Sequence, residues 1–580
     1  MIHSYSLIMS SHKRSLSLML LTGQLVALAA AGPPYCLPGS PCYPSEASWS
    51  QFNATVGGRL IKTTPYGAPC YAATYNADEC LSLAQNKGKL AFRDSLPAAL
   101  MYTNWEQTAD LSGCPVPDLP TDGSAPPPVN AICTLGGMSN YVVNATGVDD
   151  IVASVQWAAT FNLRFRIKNT GHCYAGRSAG EGSFSVWTVH MNDAELVDDF
   201  VPKATSLAPQ TVISAGPGVN VGGLYKFGSD NGVVTIGGFT QTVGASGGYI
   251  LGGGTGPLGP KFGLGVDNVV QFEVVMADGS RHTVNEALKP DLFWALRGGG
   301  GAFAVVTRAY IKTYPAFKTV NTVSGQVVCQ DNSSYGEMIS VMVDLQVAAR
   351  NANQTGIWET DPATRGLALV SFATFTGDAE TVDQSLAVYH PITIVPGCQP
   401  FLATGQFNGS GSWLAAYNNV VPILDAGGTV GLNLFSTSRL ISNDLINDPA
   451  GREKIKQFII TSPVPTIIQN AVGGATNQVS PDATAVNPGW RNVFAFMDGP
   501  IAGPWQGITA TQNATLEALS TSQTATFGTA VYYNEQQPAN VDWQDSQWGS
   551  NYPRLLSIKR KVDPNGVFSC RNCVGSEAGF

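Results

Sequence analysis

Positive charge is scarce in this sequence. Its 580 residues include 32 Lys and Arg against 41 Asp and Glu, which gives a formal net charge of −9, and charged residues make up only 13% of the chain. No long basic run is present. Because nucleic acids and anionic membrane surfaces attract basic patches, the sequence argues against both as partners.

Long hydrophobic runs are also nearly absent, with one exception near the N-terminus. The run Leu16–Ala31 follows His12, Lys13 and Arg14 and ends in small residues, which is the pattern of a signal peptide. A membrane anchor is the alternative, but the run is shorter than the roughly 20 residues that span a bilayer. We therefore predict a signal peptide at residues 1–31 and a secreted, soluble protein.

A complete set of zinc ligands is missing as well. Cys570 and Cys573 form a CxxC pair, but no second CxxC or HxxxH pair exists to complete four ligands, so no metal site is predicted. The pattern favours disulfides of an exported protein, with a connectivity that the sequence leaves open. The count of 11 cysteines is odd, and Cys173 is the candidate for the unpaired thiol. The other cysteines are Cys36, Cys42, Cys70, Cys80, Cys114, Cys133, Cys329 and Cys398.

No internal repeat and no low-complexity tract interrupts the chain. A length of 580 residues allows a large core and more than one structural unit. With 63 Gly and few charges, the surface is expected to depend on Ser, Thr, Asn and sugars for solubility. N-glycosylation sequons, which permit such sugars, lie at Asn53, Asn144, Asn332, Asn353, Asn408 and Asn513.

The GxGxxG fingerprint of nicotinamide-binding folds does not occur with the spacing it requires. Three other glycine-rich turns lie among apolar strands, at 164–178 (RFRIKNTGHCYAGRS), 237–269 and 291–306. In the first, Arg164–Lys168 alternates as a strand and breaks into a loop that carries His172. Backbone N–H groups in such loops can converge on a diphosphate. Taken alone, the first loop also fits an ordinary turn with a solvent-facing histidine.

Four motifs in order give a resemblance to a known family. They are KNTGHCYAGRS, TVGASGGYILGGG, GLGVDNVVQFEVVMADG and DLFWALRGGGGAFAVVT. This order resembles the flavin-linked oxidoreductases of the vanillyl-alcohol oxidase and p-cresol methylhydroxylase superfamily. The tail from Tyr532 to Phe568 is similar to the terminal segment of the berberine bridge enzyme group, and the N-terminal segment is similar to secreted fungal members. The match runs from about Cys133 to Val574 and implies FAD as cofactor.

The resemblance implies an α+β fold with a two-subdomain FAD-binding unit of the p-cresol methylhydroxylase type. Helical spacing predicts helices over Val148–Leu163 and Asn551–Lys561, and a strand is predicted over Val270–Ala277. An α/β substrate cap domain and a C-terminal segment that returns to the FAD unit complete the architecture. The expected divisions are 32–127 (Cys/Pro-rich N-terminal extension), 128–316 (FAD-binding domain), 317–525 (substrate-binding cap) and 526–580 (berberine bridge C-terminal segment).

The resemblance also implies where the flavin is held. His172 stands at the position that the family links covalently to the flavin 8-methyl group. Many relatives add a second link through a cysteine, but Thr240 occupies that position here, so a single attachment is expected. Cys173 is a poor substitute because it would have to reach a different edge of the ring. The predicted cofactor-binding residues are Lys168, Asn169, Thr170, Gly171, His172, Cys173, Gly176, Arg177, Ser178, Thr240, Val243, Gly244, Gly247, Gly248, Gly252, Gly253, Gly254, Asp267, Asn268, Val269 and Asn534.

Two further positions bear on catalysis. Family members with Val just after the cysteine segment tend to admit dioxygen to the reduced flavin, and Val243 occupies that place; simple strand packing is the alternative. On the predicted tail strand VYYNE, Tyr533 is expected to face the flavin as the base, with Tyr532 on the opposite face. Glu535 lies on the same face as Tyr533 and is the rival base. A purely structural aromatic pair is the other interpretation of this segment.

The sequence therefore predicts a secreted FAD-dependent oxidoreductase. It is expected to take a hydride from a small organic substrate (alcohol, amine, sugar or secondary metabolite) and to reduce dioxygen to hydrogen peroxide, as a monomer. An oxidative cyclase or dehydrogenase of a fungal secondary-metabolite pathway is the alternative enzyme. A secreted binding protein that kept the flavin fold without turnover is the alternative from another class. No residue cluster in the cap identifies the substrate.

Overall fold

The computed structural model describes residues 35–425, 430–503, 509–536 and 542–578. The predicted signal peptide lies outside the described residues. Within these ranges, no helix has both the length and the apolar character needed to cross a membrane. Helices alternate with four β-sheets along the chain, in agreement with the predicted α+β class.

The first sheet has the order β1-β2-β4-β3, with β2 and β3 parallel to β4 and β1 antiparallel to β2. Its strands are β1 (Leu60–Lys62), β2 (Tyr141–Asn144), β3 (Phe165–Lys168) and β4 (Phe184–Trp187). The helices of this region are α1 (Glu46–Thr55), α2 (Ala77–Asn86), α3 (Leu90–Asp94) and α4 (Val148–Thr160). The predicted helix forms as α4, whose buried face carries Ile151, Val155 and Ala158, and ends before Asn162, which has a positive φ of 47°.

The Cys/Pro-rich segment before residue 128 is part of this unit. Strand β1 pairs with β2, and the backbone N–H of Met101 donates to the carbonyl of Gly171 in the predicted flavin loop, at 3.2 Å. The indole N–H of Trp105 donates to the carbonyl of Tyr174 at 2.9 Å. The segment therefore buttresses the loop that carries His172.

A second sheet has the order β5-β6-β10-β8-β9, and a two-stranded ribbon pairs β7 with β11. The predicted strand at Val270–Ala277 forms as β8, which begins one residue earlier, at Val269, and ends at Val275. The chain then turns at Gly279, which has a φ of 81°. The strands are β5 (Ala194–Phe200), β6 (Gln210–Ala215), β7 (Val233–Val234), β8 (Val269–Val275), β9 (Arg281–Val284), β10 (Val305–Lys312) and β11 (Tyr314–Pro315). Helices α5 (Val221–Asp230), α6 (Gly259–Phe262) and α7 (Pro290–Leu296) accompany them.

The third large sheet is antiparallel and seven-stranded, with the order β15-β12-β14-β13-β17-β18-β16. Its strands are β12 (Thr319–Cys329), β13 (Gln354–Asp361), β14 (Gly366–Phe375), β15 (Cys398–Asn408), β16 (Asn433–Ser442), β17 (Thr466–Gln469) and β18 (Val493–Gly503). Its helices are α8 (Asn332–Asn351), α9 (Val382–Ala387), α10 (His390–Thr393), α11 (Ser412–Asp425), α12 (Asn443–Asn447), α13 (Pro449–Thr461) and α14 (Ala510–Phe527).

The two faces of the seven-stranded sheet have different roles. Trp358, Ile468 and Met497 belong to one core cluster, together with residues of α8 and α13. Because side chains alternate along a strand, their neighbours Ile357 and Asp498 point to the other face, where they line a cavity. The alternation therefore separates a structural face from a face available for a ligand.

The C-terminal segment returns to the second sheet. Its helices are α15 (Trp543–Trp548) and α16 (Tyr552–Val562), and α16 is the helix predicted at Asn551–Lys561. The ammonium group of Lys559 donates to the Ala302 and Phe568 carbonyls at 2.7 and 2.6 Å and pairs with Asp563 at 2.5 Å. These buried contacts attach the tail to the glycine-rich loop after α7.

One element of the C-terminal segment differs from the sequence-based prediction. The segment VYYNE is not a strand, because Tyr533–Glu535 forms a single 3₁₀ turn after an extended Tyr532. The alternation argument that assigned Tyr532 and Tyr533 to opposite faces of a strand is therefore wrong.

Five disulfides join ten of the cysteines, and Cys173 is free, as predicted. The pairs are Cys36–Cys42, Cys70–Cys80, Cys114–Cys133, Cys329–Cys398 and Cys570–Cys573. The CxxC pair that could have bound zinc is thus a disulfide. No group of metal-ligating side chains is found among the described residues.

This pairing makes a simple prediction for the purified protein. Thiol titration of denatured protein should give one thiol per chain before reduction, since only Cys173 is unpaired, and all eleven cysteines after reduction. Alkylation before reduction, followed by peptide mass mapping, should label Cys173 alone. A titration of three or more thiols would contradict the pairing.

Candidate active site

The loop after β3 and the loop before residue 245 lock together through a side chain. The amide of Asn169 donates to the carbonyl of Pro217, and a Cβ on Gly244 would collide with that same amide. Glycine at 244 is therefore required for the two loops to approach so closely.

A cavity of ≈ 450 Å³ lies where these loops, the C-terminal segment and the seven-stranded sheet meet. It brings together residues that are far apart in the sequence. Of the predicted site residues, those that line it are Asn169, Thr170, Gly171, His172, Cys173, Arg177, Ser178, Thr240, Val243, Gly244, Gly247, Gly248, Tyr533, Asn534 and Glu535.

The remaining predicted residues lie outside the lining and have structural contacts. Lys168 points away, and its ammonium group donates to the Leu96 carbonyl at 2.6 Å. Asp267 forms a buried ion pair with Arg491 at 2.8 Å. The amide of Asn268 donates to loop carbonyls, and Val269 is buried at the start of β8. The glycines in this group pack against other side chains: Gly176 against Trp105, Gly252 against Asn534, Gly253 beside Tyr532 and Gly254 against Tyr249.

Two features of the lining fit a flavin dinucleotide. A Cβ built on Gly248 or Gly301 would meet nothing within 4 Å, so backbone there faces open space that a ligand can approach closely. Two buried polar atoms, Oδ1 of Asn169 and one Nη atom of Arg177, have no hydrogen-bond partner among the described residues. Because buried polar groups are normally paired, an acceptor and a cationic donor are both available to a bound cofactor.

His172 is held at the cavity wall by one hydrogen bond. Its Nε2 lies 2.7 Å from the hydroxyl oxygen of Thr242. Burial by the surrounding protein lowers the pKa of His172 to about 3, so the imidazole is neutral at physiological pH. A neutral ring keeps one nitrogen lone pair, which is the property that a covalent link to a cofactor requires.

The hydroxyl of Tyr533 does not have the surroundings of a base. It lies 3.5 Å from Sγ of Cys573, and burial raises the pKa of Tyr533 even though the Arg177 guanidinium opposes the shift. That guanidinium lies 3.8 Å from the ring centroid and donates to the Tyr533 carbonyl at 3.1 Å. These contacts favour a packing role for Tyr533.

Glu535 has a partner that sequence reasoning missed. The amide of Gln469 on β17 lies 3.4 Å from a carboxylate oxygen of Glu535 and 3.4 Å from one of Asp498 on β18. Burial and the neighbouring Glu535 raise the pKa of Asp498 well above its usual range. Burial also raises the pKa of Glu535 to about 7, although hydrogen bonding with Asp498 opposes the shift. The arrangement is that of a protonated Asp498 beside a Glu535 that ionises near neutrality.

Other lining residues were also absent from the sequence-based set. Tyr102 and Tyr174 pack with ring centroids 4.4 Å apart. Tyr174 adjoins the histidine motif, so proximity in sequence could have suggested it. Tyr102, Gln469 and Asp498 carry no local motif, since only folding brings them to the cavity.

Two protein families match the sequence. Residues 139–285 match the family described as FAD binding domain, and residues 531–575 match the family described as berberine and berberine like. The first covers β2 to β9 and both interlocked loops, and the second covers Glu535 and the Cys570–Cys573 disulfide. Both matched segments thus contribute residues to the lining of the same cavity.

Several proteins are similar over most of the chain. An uncharacterized FAD-linked oxidoreductase of Arthroderma benhamiae is 30% identical over 557 residues, 94% of this chain and 94% of that protein. The structure of the VAO-type flavoprotein MtVAO615 of Myceliophthora thermophila C1 superposes with a TM-score of 0.81 at 27% identity, over 94% of this chain and 97% of that one. Glucooligosaccharide oxidase of Acremonium strictum, described with a 6-S-cysteinyl, 8α-N1-histidyl FAD, shares the fold with a TM-score of 0.60 at 20% identity, over 75% of this chain and 92% of that one.

Proposed function

Because the chain belongs to the FAD-linked oxidoreductases of the berberine bridge enzyme type, within the vanillyl-alcohol oxidase superfamily, we propose that it is a secreted flavin oxidase. It takes a hydride from a small organic substrate, an alcohol, an amine, a sugar or a secondary metabolite, and passes the electrons to dioxygen. Hydrogen peroxide is the second product. Five disulfides and the predicted signal peptide support export.

The observation that carries this proposal is the carboxyl pair of Glu535 and Asp498, which lines the same cavity as His172. Bound FAD supplies the hydride acceptor. Glu535, with a pKa of about 7, accepts the proton of the substrate hydroxyl or amine as the hydride leaves. Asp498 donates a hydrogen bond to the Glu535 carboxylate and keeps it oriented.

The rest of the substrate half is mainly apolar. Ile357, Ile467 and Pro500 project from the seven-stranded sheet, and Leu434 and Tyr102 lie nearby. Such walls exclude water and strengthen the electrostatic effect of the two carboxyl groups. A substrate with an apolar body and one oxidisable polar group fits this lining.

The proposal is tested by mixing the protein with panels of alcohols, amines, sugars and phenolic metabolites without oxygen. A substrate should bleach the flavin absorbance, and admission of air should restore the colour with one peroxide per flavin. Bleaching that is followed by no peroxide, but by electron transfer to an added quinone or dye, would favour the dehydrogenase alternative. A product with a new ring would favour the cyclase alternative.

Val243 provides a test of the oxidase assignment. Its side chain lines the cavity and packs at the edge of the main core. Val243→Leu should leave flavin reduction by substrate intact but slow reoxidation by dioxygen roughly tenfold or more, ~1.4 kcal/mol in activation free energy, because the added methylene narrows the space that dioxygen enters. Stopped-flow measurement of each half-reaction separates the two effects. Reoxidation at the wild-type rate would remove Val243 as the residue that admits dioxygen.

A further inference from the structure

The hydroxyl of Thr242 is held against His172 by the fold of its loop. Thr242 is 8% exposed. The backbone on both sides is tied to the start of α5: Val221 N–H donates to the Val243 carbonyl at 2.9 Å, and Gly222 N–H donates to the Gln241 carbonyl at 2.8 Å. These backbone hydrogen bonds hold the segment that places the Thr242 hydroxyl 2.7 Å from Nε2 of His172.

The position of this hydrogen bond matters because the two imidazole nitrogens have different roles. In the neutral ring one nitrogen carries the proton and the other carries the lone pair. A hydroxyl beside Nε2 can accept from Nε2–H, which leaves the lone pair on Nδ1. Among the residues that the structure describes, no hydrogen bond reaches Nδ1 of His172.

We propose that Thr242 is a positioning residue for covalent flavin attachment: its hydroxyl holds His172 in the tautomer whose Nδ1 is the nucleophile. The inference rests on the proposed flavin-dependent function and on the covalent FAD link predicted at His172. In addition, burial lowers the pKa of His172 to about 3, so the ring is not diverted into the doubly protonated form, which has no lone pair.

The attachment step balances as follows. A bond forms between Nδ1 of His172 and the 8α carbon of the flavin, and one C–H bond of the 8-methyl group breaks. The imidazole N–H proton and the hydrogen of the methyl group leave as two protons. The two electrons of the broken C–H bond pass to the isoalloxazine, which takes up the two protons and becomes the reduced flavin. Dioxygen then reoxidises it and is reduced to hydrogen peroxide. While Nδ1 attacks, positive charge grows on the ring, and the Thr242 oxygen stabilises it by accepting from Nε2–H.

The experiment compares the rate of attachment in full-length variants made in riboflavin-depleted cells and then mixed with FAD. Thr242→Val keeps the shape of the side chain but removes the hydroxyl, whereas Thr242→Ser retains it. Thr235→Val is the matched control, because Thr235 is also a buried threonine whose hydroxyl donates a hydrogen bond, to the Lys312 carbonyl at 2.8 Å, and it lies outside the cavity lining. Flavin that survives acid precipitation is measured against time.

Thr242→Val should attach FAD roughly 10- to 100-fold more slowly, the effect of losing one hydrogen bond to a group that becomes charged. Thr242→Ser and Thr235→Val should stay within about threefold of the wild type, since neither loses the contact with His172. NMR of the protein with ¹⁵N-labelled histidine, assigned with His172→Ala, should show the Nε2–H form in the wild type before FAD is added.

Attachment at the wild-type rate in Thr242→Val would overturn the inference, and so would an Nδ1–H form in the wild type. If Thr242→Val does not fold, as judged by circular dichroism, the serine variant and the NMR tautomer decide. Wild-type protein that binds FAD but never links it would overturn both the proposed tether and this inference. If FAD links to the wild type and links to Thr242→Val at the same rate, this inference alone would be overturned.

Discussion

Replacing Glu535 with glutamine is expected to slow flavin reduction by substrate roughly 10²- to 10⁴-fold, the usual contribution of a general base. The amide keeps the size of the side chain and can still contact Gln469, but it cannot accept the substrate proton. FAD should remain bound, because the glycine-rich loops and His172 that line the cavity are unchanged in this variant. Anaerobic stopped-flow absorbance of the flavin measures the effect directly.

The pH dependence of the same step provides an independent check. A base must be ionised to act, and the pKa of Glu535 is raised to about 7. The reduction rate should therefore rise with pH through about 7 and then level off, and this acid limb should disappear in Glu535→Gln. Asp498→Ala should move the limb to higher pH, because it removes the hydrogen bond that favours the Glu535 carboxylate.

Tyr533→Phe is the control for the identity of the base. Its hydroxyl meets the Cys573 sulfur, so the variant should reduce flavin within about threefold of the wild-type rate, the size of an ordinary lost contact. A loss of about a hundredfold or more in Tyr533→Phe, with Glu535→Gln close to wild type, would reverse the assignment and restore the tyrosine as the base.

His172→Ala should abolish covalent attachment of FAD. Acid precipitation of the wild type should give a yellow pellet, and precipitation of the variant should release all of its flavin into the supernatant. The reason is that His172 is the histidine in the cavity lining, and Thr240 stands where a thioether-forming cysteine would be needed for a second link. The native variant should still bind FAD through the glycine-rich loops.

Cys173→Ser is the matched control for this experiment, since Cys173 is the free thiol next to His172. This variant should keep its flavin in the pellet. A yellow pellet from His172→Ala would contradict the predicted tether, and peptide mass mapping would then identify the residue that carries the flavin.

The sequence by itself determined those features in which local chemistry decides the structure. The alternation of Arg164–Lys168 and the helical spacing from Val148 predicted β3 and α4 to within a few residues. The loop with His172 and the loop with Gly244 to Gly248 were found from their glycines, because a close approach of backbone segments requires residues without a Cβ. The motif order was specific enough to predict the family, the cofactor and the free Cys173.

Tertiary structure alone decided which of these residues reach the cavity. Asp267 lies in a predicted flavin motif but forms an ion pair with Arg491, and Tyr533 turns toward Cys573 because its segment is a 3₁₀ turn. Asp498 has no motif at all. The register of β17 and β18 sets Ile467 opposite Asp498 and brings Asp498 near Gln469, whose amide contacts both Asp498 and Glu535. Register and packing depend on contacts between residues distant in the chain, and a local pattern does not encode which of those residues share a cavity.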